Sequence, residues 1–222
     1  MQTEQLERSA APTPRLAAWQ ASPPVNRRFN ASALVLAAAT GLIVAALFFG
    51  GGTDDVDFLL ELANHEDVEP FMSARRPRDR ESLLEEIERS EREPLETGRF
   101  VIEAAEGEEW KRAGSMGFDV RNQRSKIANL GGLATHPDFR GRRLADDAAR
   151  QFQRHLLYDL GFHRLQLECY GFNDRAIRHA ERVGFVREGV KRKAYLRHGE
   201  WVDGIMFGLL KEDLDGHESG RS

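Results

Sequence analysis

The stretch LATHPDFRGRRLADDA, residues 133–148, decides the fold of this chain. The apolar end of a predicted strand leads through a short loop with a proline and a glycine into a segment with helical spacing. Strand, tight loop and helix in this order aim free backbone N–H groups and the positive end of a helix dipole at one point. Arg140, Arg142 and Arg143 add positive charge there. The pattern favours an anion-binding loop suited to a pyrophosphate, while solvated arginines on a plain surface loop are the simpler alternative.

The segment after the loop is the clearest helix in the chain, predicted over residues 142–160. Its apolar residues recur every three or four positions and are predicted to face inward: Leu144, Ala148, Phe152 and Leu156. The charged residues between them are predicted to face solvent: Asp146, Asp147, Arg150 and Arg154. A helix with one apolar stripe packs that stripe against a sheet or another helix.

Three strand-like runs lie before this helix, over residues 99–104, 112–120 and 126–135. Turn-prone stretches that contain Gly107 and Asn122 separate them. We therefore predict an antiparallel meander, whose last strand leads into the loop.

Two helices are predicted upstream of the meander. The first begins at Thr53, and Asp54 and Asp55 lie where a helix N-terminus is stabilised by negative charge. The second is predicted to begin with a capping box formed by Ser82 and Glu85.

A strand, a helix and a hairpin are predicted downstream of the long helix. Apolar and polar residues alternate over 165–169, which predicts a strand with Cys169 on its core face. A short helix is predicted over 173–183, with Asn173 as N-cap and Gly184 directly after its end. Two final runs are predicted to pair as a hairpin: 186–197 and 201–210.

An apolar run over residues 31–49 follows an Ala-, Pro-, Arg- and Ser-rich beginning. It has two interpretations: a membrane anchor near the lower length limit, or a buried strand over 42–49 that ends at three glycines. We favour the strand, because the domain that follows needs a first strand. The expected organisation is a mobile extension over 1–41, one domain over 42–212 and a polar tail over 213–222.

Composition and charge limit the classes of function and partner that the chain can have. The chain has 222 residues, 41% hydrophobic and 31% charged, enough for one sizeable α/β domain and an extension. Its formal net charge of −4 makes nucleic acid an unexpected partner. The seven histidines lack the spacing of a zinc site, so no metal is expected. A single cysteine, Cys169, cannot form an internal disulfide, which fits a cytoplasmic location.

Three segments together resemble one family: HPDFRGRRLADDA (136–148), YGFNDRAIRHAERVGFVREG (170–189) and AYLRHGEWVDGIMFGLL (194–210). Their order and spacing are similar to those of the GNAT superfamily, and within it to the branch of ribosomal-protein N-terminal and spermidine-type acetyltransferases. The resemblance runs from about residue 53 to residue 210. It implies an α/β fold with a mixed, mostly antiparallel sheet flanked by helices, and acetyl-CoA as co-substrate.

The resemblance also implies the cofactor-binding residues. In the family, the loop reads Arg/Gln-x-x-Gly-x-Gly/Ala, and its amides hold the coenzyme A pyrophosphate. The end of the fourth strand offers backbone groups to the pantetheine arm and the thioester carbonyl, and an asparagine lies near that arm. The corresponding residues here are Leu133, Ala134, Thr135, Arg140, Gly141, Arg142, Arg143, Leu144, Ala145 and Asn173. Arg143 replaces the first glycine, so we expect binding to survive with altered geometry.

The catalytic groups are where the sequence departs most from the family. The tyrosine that protonates the departing thiolate in the family corresponds to Ala180, and neighbouring His179 is predicted to lie on the surface. Tyr195 on the final hairpin, or water, could replace the missing acid. The candidates for a general base, by rough position alone, are Glu168, Asp119 and His136. The catalytic residues therefore stay unknown at this point.

The function expected from this sequence is direct transfer of the acetyl group of acetyl-CoA to a primary amine. The acceptor is a protein N-terminus, a polyamine or another small amine. The alternative is a non-catalytic acyl-CoA-binding protein, which Ala180 and Arg143 motivate. A homodimer is common in the branch that the chain resembles, and a membrane-tethered form is the less favoured interpretation of the apolar run.

Overall fold

The computed structural model describes residues 45–49, 53–72, 78–106 and 109–219. Five α-helices are present in these ranges: α1 (Val56–Asn64), α2 (Arg80–Arg92), α3 (Leu144–Arg154), α4 (Asp174–Arg182) and α5 (Lys211–Ser219). Seven strands form one sheet: β1 (Ala45–Phe49), β2 (Thr97–Glu106), β3 (Glu109–Asn122), β4 (Ile127–Thr135), β5 (Arg164–Tyr170), β6 (Val186–Arg197) and β7 (Glu200–Leu210).

The order of the strands in the sheet is β1-β2-β3-β4-β5-β7-β6. All neighbours are antiparallel except β4 and β5, which are parallel and are joined through α3. A parallel pair needs such a crossover, because the chain must return to the same end of the sheet before the second strand begins. The predicted mixed, mostly antiparallel sheet flanked by helices is confirmed.

Each face of the sheet carries its own core. On one face α3 packs against the sheet, and Phe152 meets Phe100 of β2 with their ring centroids 4.7 Å apart. On the other face, α1 and α2 cover the sheet, where Val56 and Leu83 pack with Val101. Alternation along β2 explains the division, since Phe100 and Val101 point to opposite faces.

The long predicted helix is divided in two. After α3, the residues His155–Asp159 form a π-helical turn, in which the N–H of Leu160 donates to the carbonyl of His155 at 3.0 Å. The inward stripe is confirmed, since Leu144, Phe152 and Leu156 are buried. The prediction that Asp146 faces solvent is wrong, because this residue is only 3% exposed.

Two predicted ends also differ. Helix α2 begins two residues before the expected capping box, because Asp79 is its N-cap and accepts a hydrogen bond from the N–H of Ser82 at 2.7 Å. The predicted polar tail begins with a helix, α5, because Leu214 is fully buried among the core residues beneath α3.

The apolar run is partly described. Its last five residues form β1, which pairs with β2, so a strand lies where one was predicted. Residues 42–44 of the predicted strand and the predicted extension over 1–41 lie outside the described residues. Within the ranges that the structure describes, no helix is long and apolar enough to cross a membrane.

Candidate active site

Strands β4 and β5 separate to leave a wedge in the middle of the sheet. Their pairing runs from Ile127 with Arg164 to Asn129 with Gln166 and then stops. Strand β4 nevertheless continues to Thr135, and β5 continues to Tyr170. Backbone N–H and C=O groups along these two edges therefore lack partners across the wedge, which suits an extended ligand that adds like a strand.

A bulge lies in β4 beside the wedge. Gly131 pairs with Gly117, and Ala134 pairs with Ser115, so β4 has one more residue than β3 between these pairs. Gly132, inside the bulge, has a φ of 64°. The extra residue reverses the alternation of faces, because Leu130 packs on the α3 side while Ala134 packs on the α1 side. Backbone groups of the bulge are released from the ladder at the wedge.

An ion pair supports the bulge from the side of α2. Arg99 lies beneath Gly132, where a Cβ atom would clash with its Nη1. The Nε of Arg99 donates to Glu86 Oε1 at 2.8 Å, and Arg78 pairs with the other oxygen of Glu86. Although burial raises the pKa of Glu86, the two arginines lower it by more. Arg99 is therefore held in place by a carboxylate that stays ionised.

The loop between β4 and α3 has the geometry that the sequence predicts. Pro137–Phe139 form a single 3-10 turn, and His136 Nδ1 accepts a hydrogen bond from the N–H of Asp138 at 3.3 Å. Gly141 follows with a φ of 81°. The first helical hydrogen bonds of α3 come from the N–H groups of Asp146 and Asp147 to the carbonyl of Arg143, at 2.9 and 3.2 Å. Earlier amides thus point out of the helix end, which is the arrangement that binds an anion.

Arg143, where the resembled family has a glycine, adopts a backbone conformation that glycine favours. It adopts the left-handed conformation, with φ 57° and ψ 12°, as N-cap of α3. Glycine is the usual residue there, so Arg143 accepts strain of about 1 to 2 kcal/mol that glycine would not. Its side chain is exposed and forms no ion pair with any residue that the structure describes. The expected effect of Arg143 on the geometry of coenzyme binding stays a prediction.

The other two arginines of the loop have carboxylate partners. Arg140 Nη1 lies 2.9 Å from Asp67 Oδ2, and Arg142 Nη1 lies 2.8 Å from Glu106 Oε1. These carboxylates are partly exposed, so both arginines can exchange them for a phosphate without leaving the loop. The structure brings the three predicted arginines to the N-terminus of α3.

Asn173 lies at the start of α4, as predicted. Its Oδ1 accepts a hydrogen bond from the N–H of Ala176 at 3.1 Å, which confirms the N-cap interpretation. The Nδ2 group donates to no residue that the structure describes. Ala180, where the family has its tyrosine, is 1% exposed and packs in the core.

The surface position predicted for His179 is wrong, and Asp146 explains why. His179 Nδ1 lies 2.9 Å from Asp146 Oδ1, and Arg182 donates to both oxygens of Asp146, at 2.7 and 2.8 Å. Burial raises the pKa of Asp146, but the hydrogen bonds from Arg182 and His179 outweigh it and lower the pKa to about 2. Burial also lowers the pKa of His179. Because Arg182 is charged at every ordinary pH, Asp146 stays ionised whether or not His179 is protonated.

The three candidate general bases differ in how close they lie to the wedge. Asp119 pairs with Asn129, before the wedge opens, and forms an ion pair with Arg121 at 3.0 Å. It is therefore not brought to the site. His136 follows the end of β4, and its ring centroid lies 5.9 Å from that of His65. Glu168 lies on β5 at the wedge, with Oε2 2.6 Å from Lys191 Nζ.

Two further side chains limit the chemistry. Burial and the neighbouring Glu168 raise the pKa of Tyr195 to about 12, so its hydroxyl stays protonated. Burial raises the pKa of the Cys169 thiol to about 11, so it is a poor nucleophile.

Sequence reasoning missed an aromatic cluster at the open end of the wedge. Phe172 stacks on Tyr170 at 5.6 Å between ring centroids, and Phe71 lies 6.0 Å from Phe172. The ring of Tyr195 meets Tyr170 edge-on at 5.3 Å. We call these four rings, from β5, the β5–α4 turn, β6 and the α1–α2 connection, the acceptor-side cluster. The segment YGF at 170–172 was the available signal, but its partners come from distant parts of the chain.

The residues that form this wedge match the model of a known protein family. The model of the acetyltransferase (GNAT) domain family matches residues 52–186, which is more than half of the chain. The chain belongs to the GNAT acetyltransferase family. The match covers the wedge, the bulge, the loop and the first helix residues of the site just described.

Similar proteins agree with this family. The GNAT chain is 31% identical over 83 residues to an uncharacterized SPbeta prophage-derived N-acetyltransferase, YokL, of Bacillus subtilis. That match spans 37% of this chain and 47% of the relative, about half of its length. Among solved structures, spermidine N-acetyltransferase from Vibrio cholerae in complex with CoA and spermine has a TM-score of 0.67 at 20% identity. The superposition covers 77% of this chain and 98% of the Vibrio cholerae chain, and it shows that the two proteins share a fold.

Proposed function

We propose that this GNAT chain transfers the acetyl group of acetyl-CoA directly to a primary amine. The observation that carries the proposal is the wedge between β4 and β5, with a bulge on one edge and an anion-binding helix end directly after it. An elongated ligand with amide groups in its middle and phosphates at one end fits this order of features.

The order of these residues along the wedge supports acetyl-CoA as the ligand. The amides of Gly141 to Ala145, with Arg140, Arg142 and Arg143, would hold the diphosphate at the N-terminus of α3. Leu133 to Thr135 would pair with the pantetheine amides along the open edge of β4, and Asn173 Nδ2 would donate from the opposite side. This places the thioester beside the bulge at Gly132 and Leu133.

The reaction would proceed in the wedge without an acyl-enzyme. The amine nitrogen attacks the thioester carbon, and an N–H group of the bulge stabilises the negative charge that develops on the carbonyl oxygen. The C–S bond then breaks, the thiolate leaves, and the amine loses a proton to Glu168 or His136, directly or through water. The raised pKa of Cys169 argues against a covalent intermediate.

The lack of the family tyrosine is compatible with transfer. A thiol has a pKa of about 8.5, so a thiolate leaves readily without a strong acid. Tyr195, with its pKa raised to about 12, holds a proton but gives it up reluctantly. Solvent protonation of the thiolate therefore accounts for this step better than Tyr195 does.

The experiment that tests this proposal is acetyl transfer by the full chain to a panel of amines, followed by mass spectrometry of the products. The panel contains amino acids, their amides, short peptides and spermidine. Acetylated product that depends on the enzyme supports the proposal. Binding of acetyl-CoA without product from any amine would instead support a non-catalytic acyl-CoA-binding protein, which the buried Ala180 motivates.

A further inference from the structure

The acceptor-side cluster lies where an amine would approach the thioester. Four residues beyond the last β4–β5 pair, Leu133 on β4 and Tyr170 on β5 lie at a similar height across the wedge. Phe71 and Phe172 of the cluster are 38% and 42% exposed, so they offer apolar area to a ligand. Tyr170 is on the face of β5 opposite to Cys169, away from α3.

A half-buried arginine without a carboxylate partner sits on this cluster. The guanidinium of Arg197 lies 4.5 Å above the ring centroid of Tyr170. Its Nη2 donates to the Tyr170 hydroxyl and to the carbonyl of Met72, the latter at 3.2 Å. Its Nε is buried without a partner, and Nη1 donates to none of the residues that the structure describes. No acidic side chain in those ranges forms an ion pair with it.

A second arginine lies on the cluster. Arg175 lies over the ring of Phe71 at 5.5 Å, and it too forms no ion pair with a described residue. The acid on β5, Glu168, lies on the Tyr195 side of the cluster, where its Oε2 pairs with Lys191 and its Oε1 is buried without a partner. A cation withdrawn from water without a counter-charge is costly, and a carboxylate bound there would remove part of this cost.

We propose that the amine acceptor carries a carboxylate, which Arg197 binds, and an apolar group, which packs against Phe71 and Phe172. This inference rests on the proposed function and narrows its acceptor to the class of free amino acids with apolar side chains. A polyamine would bring several positive charges to Arg175 and Arg197, and a protein N-terminus would lack the carboxylate beside its amine. The exposed rings then set the preference for an apolar side chain.

The test compares acceptors that differ only in the carboxylate. Phenylalanine and leucine are compared with phenylalaninamide, leucinamide and 2-phenylethylamine, with spermidine added, at saturating acetyl-CoA. We expect at least one of the two acids to have a kcat/KM that exceeds that of its amide by about tenfold or more. Equal or better turnover of the amides, 2-phenylethylamine or spermidine would overturn the inference.

Arg197→Gln then assigns the preference to this residue. The variant should raise KM for the acid about tenfold and leave kcat for the acid and KM for the amide within about threefold. Arg197→Lys, which keeps the charge, should restore part of the preference. Arg187→Gln is the matched control, because Arg187 is an exposed arginine on the same strand at the far end of the hairpin. An equal effect of Arg197→Gln on acid and amide would contradict the assignment.

A titration separates this inference from the proposed function. Phenylalanine and leucine are titrated into the complex of the chain with CoA, and acetyl-CoA is titrated into the free chain. If acetyl-CoA binds and neither acid does, the acceptor inference fails while the coenzyme half of the proposed function stands. If acetyl-CoA does not bind, the proposed function itself fails.

Discussion

At the scale of single residues, Asp146 and Asp147 are neighbours in the first turn of α3 with different surroundings. Asp146 is buried and accepts hydrogen bonds from Arg182 and His179, so it joins α3 to α4. Asp147 is 40% exposed and pairs with Arg150 three residues later at 3.1 Å. The Asp146 carboxylate thus connects two elements that flank the proposed coenzyme site.

We predict that Asp146→Asn lowers the free energy of unfolding by roughly 2 kcal/mol at pH 7, because the ion pairs with Arg182 are lost. The pKa of Asp146 in the folded chain, about 2, lies below its ordinary value of 3.8. The stabilisation is thus fully present above about pH 5 and is lost as the pH falls towards 2. Urea denaturation of both proteins between pH 7 and pH 3 should show a difference in the free energy of unfolding that shrinks by roughly half as the pH falls to 3.

Asp147→Asn is the control for this prediction. An exposed pair three residues apart on a helix contributes about 0.5 kcal/mol or less. Equal losses for the two variants at pH 7 would mean that Asp146 does not join the helices as described.

At the scale of elements, the bulge in β4 is the feature that shapes the wedge. Gly132 has positive φ, and a side chain there meets Arg99, which Glu86 holds. Gly131 beside it has no atom within 4 Å of an added Cβ and no positive φ. These two adjacent glycines offer a matched pair of substitutions.

We predict that Gly132→Ala destabilises the chain by about 1 to 3 kcal/mol and lowers kcat for acetyl transfer at least tenfold. The backbone must leave its left-handed conformation, which moves the N–H groups that would bind the thioester oxygen. Gly131→Ala should change both quantities little. The comparison requires thermal denaturation and steady-state kinetics of both variants, and equal kcat values would show that the bulge has no part in catalysis.

Helix α5 gives a second prediction at this scale. Leu214 is fully buried, and His217 Nε2 lies 3.0 Å from the carbonyl of Arg182 at the end of α4. Leu214→Ala should lower the free energy of unfolding by about 2 to 4 kcal/mol, because it leaves a cavity in the core. Chemical denaturation measures this, with the exposed Glu212→Ala as control. A loss below about 0.5 kcal/mol would mean that residues after Lys211 behave as the polar tail that their composition suggests.

At the scale of the whole molecule, the helices and strands could be predicted from local sequence patterns. The alternation and spacing of apolar residues predicted β2 to β7 and the start of α3 within a few residues, and the arginine-rich loop was placed at the start of α3. These features depend on which face of an element is apolar, which the sequence displays directly.

Features that depend on pairs of distant residues were not predictable in this way. Asp146 was expected to face solvent because it is charged, but its partners lie more than thirty residues later, on α4. The divergence of β4 and β5 leaves no pattern in either strand. The contact of Arg197 with Tyr170 and Met72 joins three separate segments, and no spacing within one segment indicates it.

The central claim, that the wedge and the N-terminus of α3 bind acetyl-CoA, is tested most directly by isothermal titration. The full chain is compared with Ala145→Glu, which puts a carboxylate at the free amides of α3, and with Val186→Glu, which adds the same charge at a site that is 51% exposed. We predict one site of micromolar affinity in the native chain and in Val186→Glu, and at least about thirtyfold weaker binding in Ala145→Glu. Absence of binding to the native chain, or equal affinity in all three proteins, would contradict the account.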